Sequence, residues 1–234
     1  MQPYLFPYIG YFQLVRAVDK FVLLDDVNFI NKGWINRNNI LVNGKANLFT
    51  IPLENASQNK LIKDINISSE PKWKSKFLTT LTMAYKKSPH FSSVMPLIES
   101  IMNSEENNVS KKICISLQNI CEYLGIKTII EPTSSKYGTE NLKGQEKIIS
   151  ICKQEKATDY INPIGGTELY DKAKFTAEGI NLYFIKTGEI KYKQFANDFV
   201  PYLSIIDLLM FNSTEEAAAL LERYTLIQND EVHI

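Results

Sequence analysis

From Gly125 onward, short apolar runs alternate with amphipathic ones, and this rhythm constrains the fold more than any other feature of the chain. KTIIE (127–131), TDYIN (158–162) and INLYFIK (180–186) read as strands. Between them, 144–156 places Ile148, Ile149 and Cys152 on one side of a helix, and 169–178 reads as a second helix closed by Gly179. Residues 202–211 and 214–224 read as two more helices. Upstream, 10–19 carries a helical apolar face, and KFVLLDD (20–26) reads as a buried strand ending in two carboxylates. Strands that alternate with helices pair in parallel through right-handed crossovers. The expectation is an α/β fold: a mainly parallel sheet with helices on both faces.

Two elaborations interrupt the rhythm. NILVNGKANLFTIP (39–52) sets two apolar runs around Asn43-Gly44, the pair preferred in a tight hairpin turn. A further strand is expected at 61–67. Residues 71–124 then read as three helices, a helical subdomain inserted into a single α/β domain spanning 1–234. Hydrophobic residues make up 44% of the 234 and charged residues 22%, so a packed core rather than a disordered chain is expected. Lys plus Arg and Asp plus Glu are 26 each, which argues against nucleic-acid binding through a basic surface. No apolar run approaches the roughly 18 residues of a membrane span, and MQPYLFPYIGYFQLV does not read as a secretory leader. Three cysteines without nearby histidines argue against a disulfide framework and against zinc, so no metal is assigned. A cytoplasmic protein is expected, with its oligomeric state open.

In open parallel sheets, ligands bind beyond the carboxyl ends of the strands. That rule selects Asp25-Asp26, then Pro132, Thr133, Ser134, Ser135 and Lys136 after 127–131, and then Asn162 with the Pro163–Thr167 turn. Asp25 and Asp26 could orient a metal or take a proton, or cap a turn. As neighbours on a strand they point to opposite faces. Gly165-Gly166 could offer backbone N–H groups to an anion, or form an ordinary turn. KGWINRN (32–38) sets Lys32, Trp34, Arg37 and Asn38 close together, as a nucleotide pocket or as a charged hairpin edge. Ser204 and Asp207 lie three apart in FVPYLSIIDLLMFN (199–212), on a helix apolar nearly all round. A buried Asp there needs partners, and a supporting role is expected, fixing the loop at Asn162 or Gly165.

Four strings accumulate: MQPYLFPYIGYFQLV (1–15), FVLLDDVNFINKGWINRN (21–38), YINPIGGTELYD (160–171) and FVPYLSIIDLLMFN. Together they resemble the WbqC-like family over nearly the whole chain. The resemblance places the family's signature on Gln2, Pro3, Pro7, Gly10, Asp25, Asp26, Arg37, Asn38, Gly165, Gly166, Tyr170, Ser204 and Asp207. Many relatives carry His-Gln-Pro after a short apolar strand where this chain has Met1-Gln2-Pro3. Either the start lies upstream, or the strand and the His are missing here. The resemblance implies surface-polysaccharide (O-antigen, lipopolysaccharide) assembly, with transfer of glycine or another small acyl group to an amino sugar.

The reading that follows is a transferase making an amide on a nucleotide-linked amino sugar. Asp25, Asp26 and Arg37 would be catalytic. Gln2, Tyr4, Lys32, Trp34, Asn38, Ser134, Ser135, Asn162, Gly165, Gly166 and Tyr170 would bind substrate, with Ser204 and Asp207 behind them. The acyl donor is open. A likeness in topology to nucleotidylyl-transfer enzymes such as pantothenate synthetase admits ATP as cofactor, with Lys32, Arg37 and Lys136 facing its phosphates. The alternatives are a sugar-nucleotide binding scaffold without catalysis, or a glycosyltransferase.

Overall fold

The structure is a computed structural model that describes residues 1–195 and 198–228. It opens with helix α1 (Ile9–Arg16), followed by strand β1 (Lys20–Val22). The hairpin β2 (Arg37–Val42) and β3 (Lys45–Thr50) turns where expected, with Asn43 at φ 50° and Gly44 at φ 73°. Next comes the short pair β4 (Leu53–Glu54) and β5 (Asn66–Ile67). The three expected helices follow as α2 (Lys72–Tyr85), α3 (Phe91–Asn103) and α4 (Val109–Tyr123). The βα rhythm resumes with β6 (Ile129–Glu131), α5 (Gly144–Gln154), β7 (Asp159–Pro163), α6 (Lys172–Ala177) and β8 (Asn181–Thr187). It ends with α7 (Ile205–Phe211), α8 (Thr214–Leu221) and β9 (Tyr224–Gln228). No helix among the described residues is long and apolar enough to cross a membrane.

Three features correct the sequence reading. Residues 61–67 do not form one strand, because the N–H groups of Ile62 and Lys63 donate to the carbonyls of Val27 and Asp25 and curl the chain into a 3-10 turn at Ile62–Asp64. Helix α7 begins at Ile205 rather than 202, because Tyr202 sits at φ 58° and Ser204 caps the helix. Strand β9 was not expected at all; it pairs antiparallel with β8 from Tyr224 to Gln228.

The sheet is mixed and divided, not one mainly parallel sheet. β1 pairs parallel with β6, and β7 pairs parallel with β8. Along β8, Leu182 and Phe184 enter a core with Ile148, Ile149, Cys152 and Phe175 of α5 and α6, while Ile185 faces the larger core that holds α1 and α8. Helices therefore cover both faces of this strand.

The division has a local cause. The Ile129 N–H donates to Asp19 and the Leu23 N–H to Glu131, so these residues of the β1 strand turn their backbone groups to β6. Lys20, Val22 and Leu24 then face the other way, because groups alternate along a parallel ladder. There the Met1 amine donates to the Val22 carbonyl at 2.9 Å, and the Leu24 N–H donates to the Met1 carbonyl at 2.8 Å. That is one bridge of a parallel ladder, and it is not continued. Beyond it lies a cavity of about 660 Å³ lined by Met1, Val22, Leu24, Cys152, Tyr160 and Ile161, which separates β1 from β7. Burial pushes the Met1 amine down to about 5.

Fusing a short Val/Ile-rich segment ahead of Met1 would replace the buried amine with an amide and extend the bridge into a ladder. The expected result is a rise in melting temperature of about 2–8 °C, for about 1–2 kcal/mol of added pairing and burial. A segment of the same length carrying prolines should give none of it. Equal melts for the two fusions would show that the gap does not seat a strand.

Candidate functional site

The strand β1 runs on into Leu23, Leu24, Asp25 and Asp26, and their side chains alternate. Leu23 belongs to the larger core and Leu24 packs against the smaller one. The carboxylates part in the same way. Asp25 Oδ2 accepts from the Ser110 hydroxyl of α4 at 3.0 Å, and its Oδ1 accepts from the Thr133 hydroxyl at 2.8 Å and the Ser134 N–H at 3.1 Å. Asp26 Oδ2 accepts from Lys147 Nζ of α5 at 2.6 Å, and its Oδ1 takes the Ser134 hydroxyl. The Ser134 oxygen in turn accepts from the N–H groups of Asp25 and Asp26, at 3.2 and 3.4 Å. Lys147 also donates to the Thr139 carbonyl at 3.3 Å. Asp25, Asp26, Ser110, Ser134, Thr139 and Lys147 are all buried. Every carboxylate oxygen is thus engaged within the protein.

The other expected site residues have partners of their own. Ser135 accepts from Lys63 Nζ at 3.0 Å, which sets a cation at the rim of the 133–135 loop. Tyr160, Ile164 and Tyr170 pack, like Leu24, against the smaller core, and Asn162 lines the same cavity as Leu24. In the turn after β7 a Cβ on Gly166 would fall 2.1 Å from Asn162 Nδ2, so only glycine lets the Asn162 amide lie there. Gly165 has open space. Tyr170 packs edge-on against Tyr160 at 5.6 Å. Gln2 follows the Met1 bridge, its carbonyl accepting from the Tyr11 hydroxyl at 2.9 Å, and Tyr4 lies 5.6 Å from the Tyr11 ring.

The Arg37 group stands apart from the carboxylates. Arg37 Nε donates to the Gly33 carbonyl at 2.8 Å, another guanidinium nitrogen donates to the Lys32 carbonyl, and the group lies 5.7 Å over the Trp34 ring. It braces its own turn, and no hydrogen bond among the described residues joins it to Asp25 or Asp26. Asn38 Nδ2 donates to the Phe6 carbonyl at 2.9 Å. Lys136, expected near phosphates, is paired with Glu131 and Glu155.

Asp207 is buried as expected, but its partners differ. It accepts from the hydroxyls of Tyr85 at 2.9 Å and Tyr192 at 2.7 Å and from Gln194 Nε2 at 2.6 Å, not from the loop at Asn162 or Gly165. Tyr85 also accepts the Leu41 N–H, so the network ties the hairpin to α2 and α7. Ser204 donates to the Phe6 carbonyl at 2.7 Å while capping α7.

With this geometry the comparisons with known proteins can be placed. The model of the WbqC-like protein family matches residues 2–219. The chain belongs to that family. It is also 29% identical over 215 residues to a protein of Mycobacterium tuberculosis described as uncharacterized, covering 90% of this chain and 91% of the relative. No solved structure matches.

Several residues of this WbqC-like site escape sequence reasoning. Lys63, Ser110 and Thr139 carry no local signal. Lys147 does: it stands four residues before Ile151 on the buried stripe of α5, and a cation there requires a buried partner. Lys147→Met would leave Asp26 buried without its cation and should destabilise the protein by about 3–5 kcal/mol in urea unfolding, most of it regained when Asp26 is also made apolar. If the single variant unfolds like the wild type, the ion pair holds nothing.

A second prediction concerns Asp207. Burial pushes its carboxyl upward, against the pull of Tyr192, Gln194 and Tyr85. A carboxyl raised on folding contributes stability that is present below the unfolded carboxylate range and is lost as pH rises through the raised value. The stability advantage of the wild type over Asp207→Asn should therefore shrink across that window. Asp207→Leu, which deprives three donors of their acceptor, should cost about 1–3 kcal/mol. Urea melts of both variants across the acid range check the two outcomes together.

Proposed function

We propose that this chain is a transferase that forms an amide, glycyl or another small acyl group, on the amino group of a nucleotide-linked amino sugar during surface-polysaccharide (O-antigen) assembly. Family membership is consistent with this class, and one observation carries the reading: the Thr133–Ser135 loop is pinned by Asp25 and Asp26 while its rim pairs Ser135 with the Lys63 ammonium. Hydroxyls and backbone N–H groups beside a cation suit the phosphates of a sugar nucleotide or of ATP. In this reading the open Gly165 turn and Tyr170 receive the sugar or the donor.

In the reaction, the neutral amine attacks the acyl carbon of an adenylate or thioester. The new C–N bond forms, the tetrahedral centre collapses, AMP or thiolate leaves with its bonding electrons, and the amine proton passes to a base or to water. Asp25 and Asp26 serve by holding the loop in place, and Arg37 by holding the 30–34 turn. A cytoplasmic location follows from the substrate, because nucleotide sugars are made there.

The engaged carboxylates favour a second reading, a sugar-nucleotide binding protein of the same pathway without turnover. They count against a glycosyltransferase whose acidic pair must be free to hold a metal. The test is incubation with a uridine diphosphate-linked amino sugar, glycine and ATP, and in parallel with a glycyl thioester, followed by mass spectrometry. A glycylated sugar nucleotide is expected in one arm. Binding without product in both arms would establish the binding protein, and no binding at all would overturn both readings.

A further inference from the structure

Three tyrosines lie outside the network described above, Tyr4 and Tyr8 in the N-terminal loop and Tyr202 just before α7. Tyr8 is 37% exposed, and Tyr202 is 82% exposed. Exposed aromatic rings expose apolar area to water, and a tyrosine at φ 58° adds backbone strain of about 1–2 kcal/mol. Both features persist at one place. The Ile205 N–H donates to the Pro7 carbonyl at 2.7 Å, which holds the 201–204 segment against the loop. The phenol of Tyr8 is pushed upward by burial and then by Tyr202, and that of Tyr4 by burial and then by Tyr8. None of the three hydroxyls bonds to a described residue.

The position of the Tyr8 ring is built in. A Cβ on Gly10 would lie 2.4 Å from Tyr8 Cε2, 2.6 Å from Cζ and 2.7 Å from the hydroxyl oxygen. The ring is laid over the bare first turn of α1, where any other residue would push it away. The loop that carries it begins at the Met1 bridge to the end of β1 and is bonded through Leu5 and Phe6 to Ile35 and Asn38.

We propose that Tyr8 and Tyr202, with Tyr4 beside them, form a seat for the pyranose ring of the sugar nucleotide. The inference rests on the proposed substrate class and names the part of the chain that grips the sugar. A pyranose offers an apolar face of C–H groups and a rim of hydroxyls. Tyrosine matches both, with a ring face for stacking and an edge hydroxyl that donates and accepts. No charge is needed, so the phosphates are left to the loop at Ser135 and Lys63.

The experiment measures binding of UDP-glucosamine and of free UDP by calorimetry, and of free glucosamine by tyrosine-ring shifts in NMR. The proteins are wild type, Tyr202→Ala and Gly10→Ala. Both variants should fold: Tyr202 is mostly solvated, and alanine is a better helix former than glycine, with only a movable ring in its way. Each should weaken UDP-glucosamine about 5- to 20-fold and leave UDP unchanged, the size of one lost ring contact. If UDP-glucosamine binds and both variants bind it like the wild type, the seat is refuted while the substrate class stands. If UDP-glucosamine fails to bind but glucosamine shifts the Tyr8 and Tyr202 rings, the seat stands and the substrate class falls. If neither binds, both fall.

Discussion

Two adjacent carboxylates buried at the end of one short strand are the constraint on which the rest of the structure depends. A carboxylate taken out of water must be given donors, and a partly satisfied pair would cost more than an apolar core. Here the donors come from three places in the chain: Ser110 on α4, Thr133 and Ser134 after β6, and Lys147 on α5. The sequence Leu23-Leu24-Asp25-Asp26 divides them by simple alternation. The odd-numbered side chains go to the larger core and α4; the even-numbered go to the smaller core and α5. One stretch of extended backbone thus joins two cores and fixes a polar loop between them.

The same arrangement explains why part of the site was legible and part was not. The strand-end rule finds Asp25, Asp26, Ser134 and Ser135 because it needs only the order of strands and loops, which periodicity supplies. It cannot say whether a carboxylate faces solvent or a lysine 121 residues away, since nothing local in Asp26 records Lys147. Arg37 shows the converse. Its place in KGWINRN suggested a phosphate ligand, yet the carbonyls of Lys32 and Gly33, four and five residues back, are nearer partners.

In the fold, the elements that survive from sequence to structure are those with self-contained signals. Asn43-Gly44 needs only its own turn, and the helices of 71–124 need only their apolar stripes. The failures lie where backbone pairing is decided elsewhere. Residues 61–67 have the composition of a strand, but two of their N–H groups are claimed by the chain just past Asp25 and at Val27. The parallel sheet is divided because pairing between β1 and β7 depends on what lies between them, which strand composition does not reveal.

Three residues that do not touch the carboxylate network, Gly10, Asn38 and Ser204, have a common physical task. Phe6 is fully buried at φ 46°, a conformation that costs about 1–2 kcal/mol for a side chain of its size. Its carbonyl accepts from both Asn38 Nδ2 and Ser204 Oγ, and its neighbours Leu5 and Pro7 bond to Ile35 and Ile205. Asn38 and Ser204 are 166 positions apart in sequence, yet they hold one oxygen. Their donation, together with burial of the ring, offsets the strain and turns the following residues so that Tyr8 lies over Gly10. Because the two donors share one acceptor, losing either leaves the other bearing the loop alone, and their effects on it should be coupled rather than additive. Asn38, Ser204 and Gly10 are thus accounted for by the shape of a single loop, and any contact they make with substrate is made through the residues that loop presents.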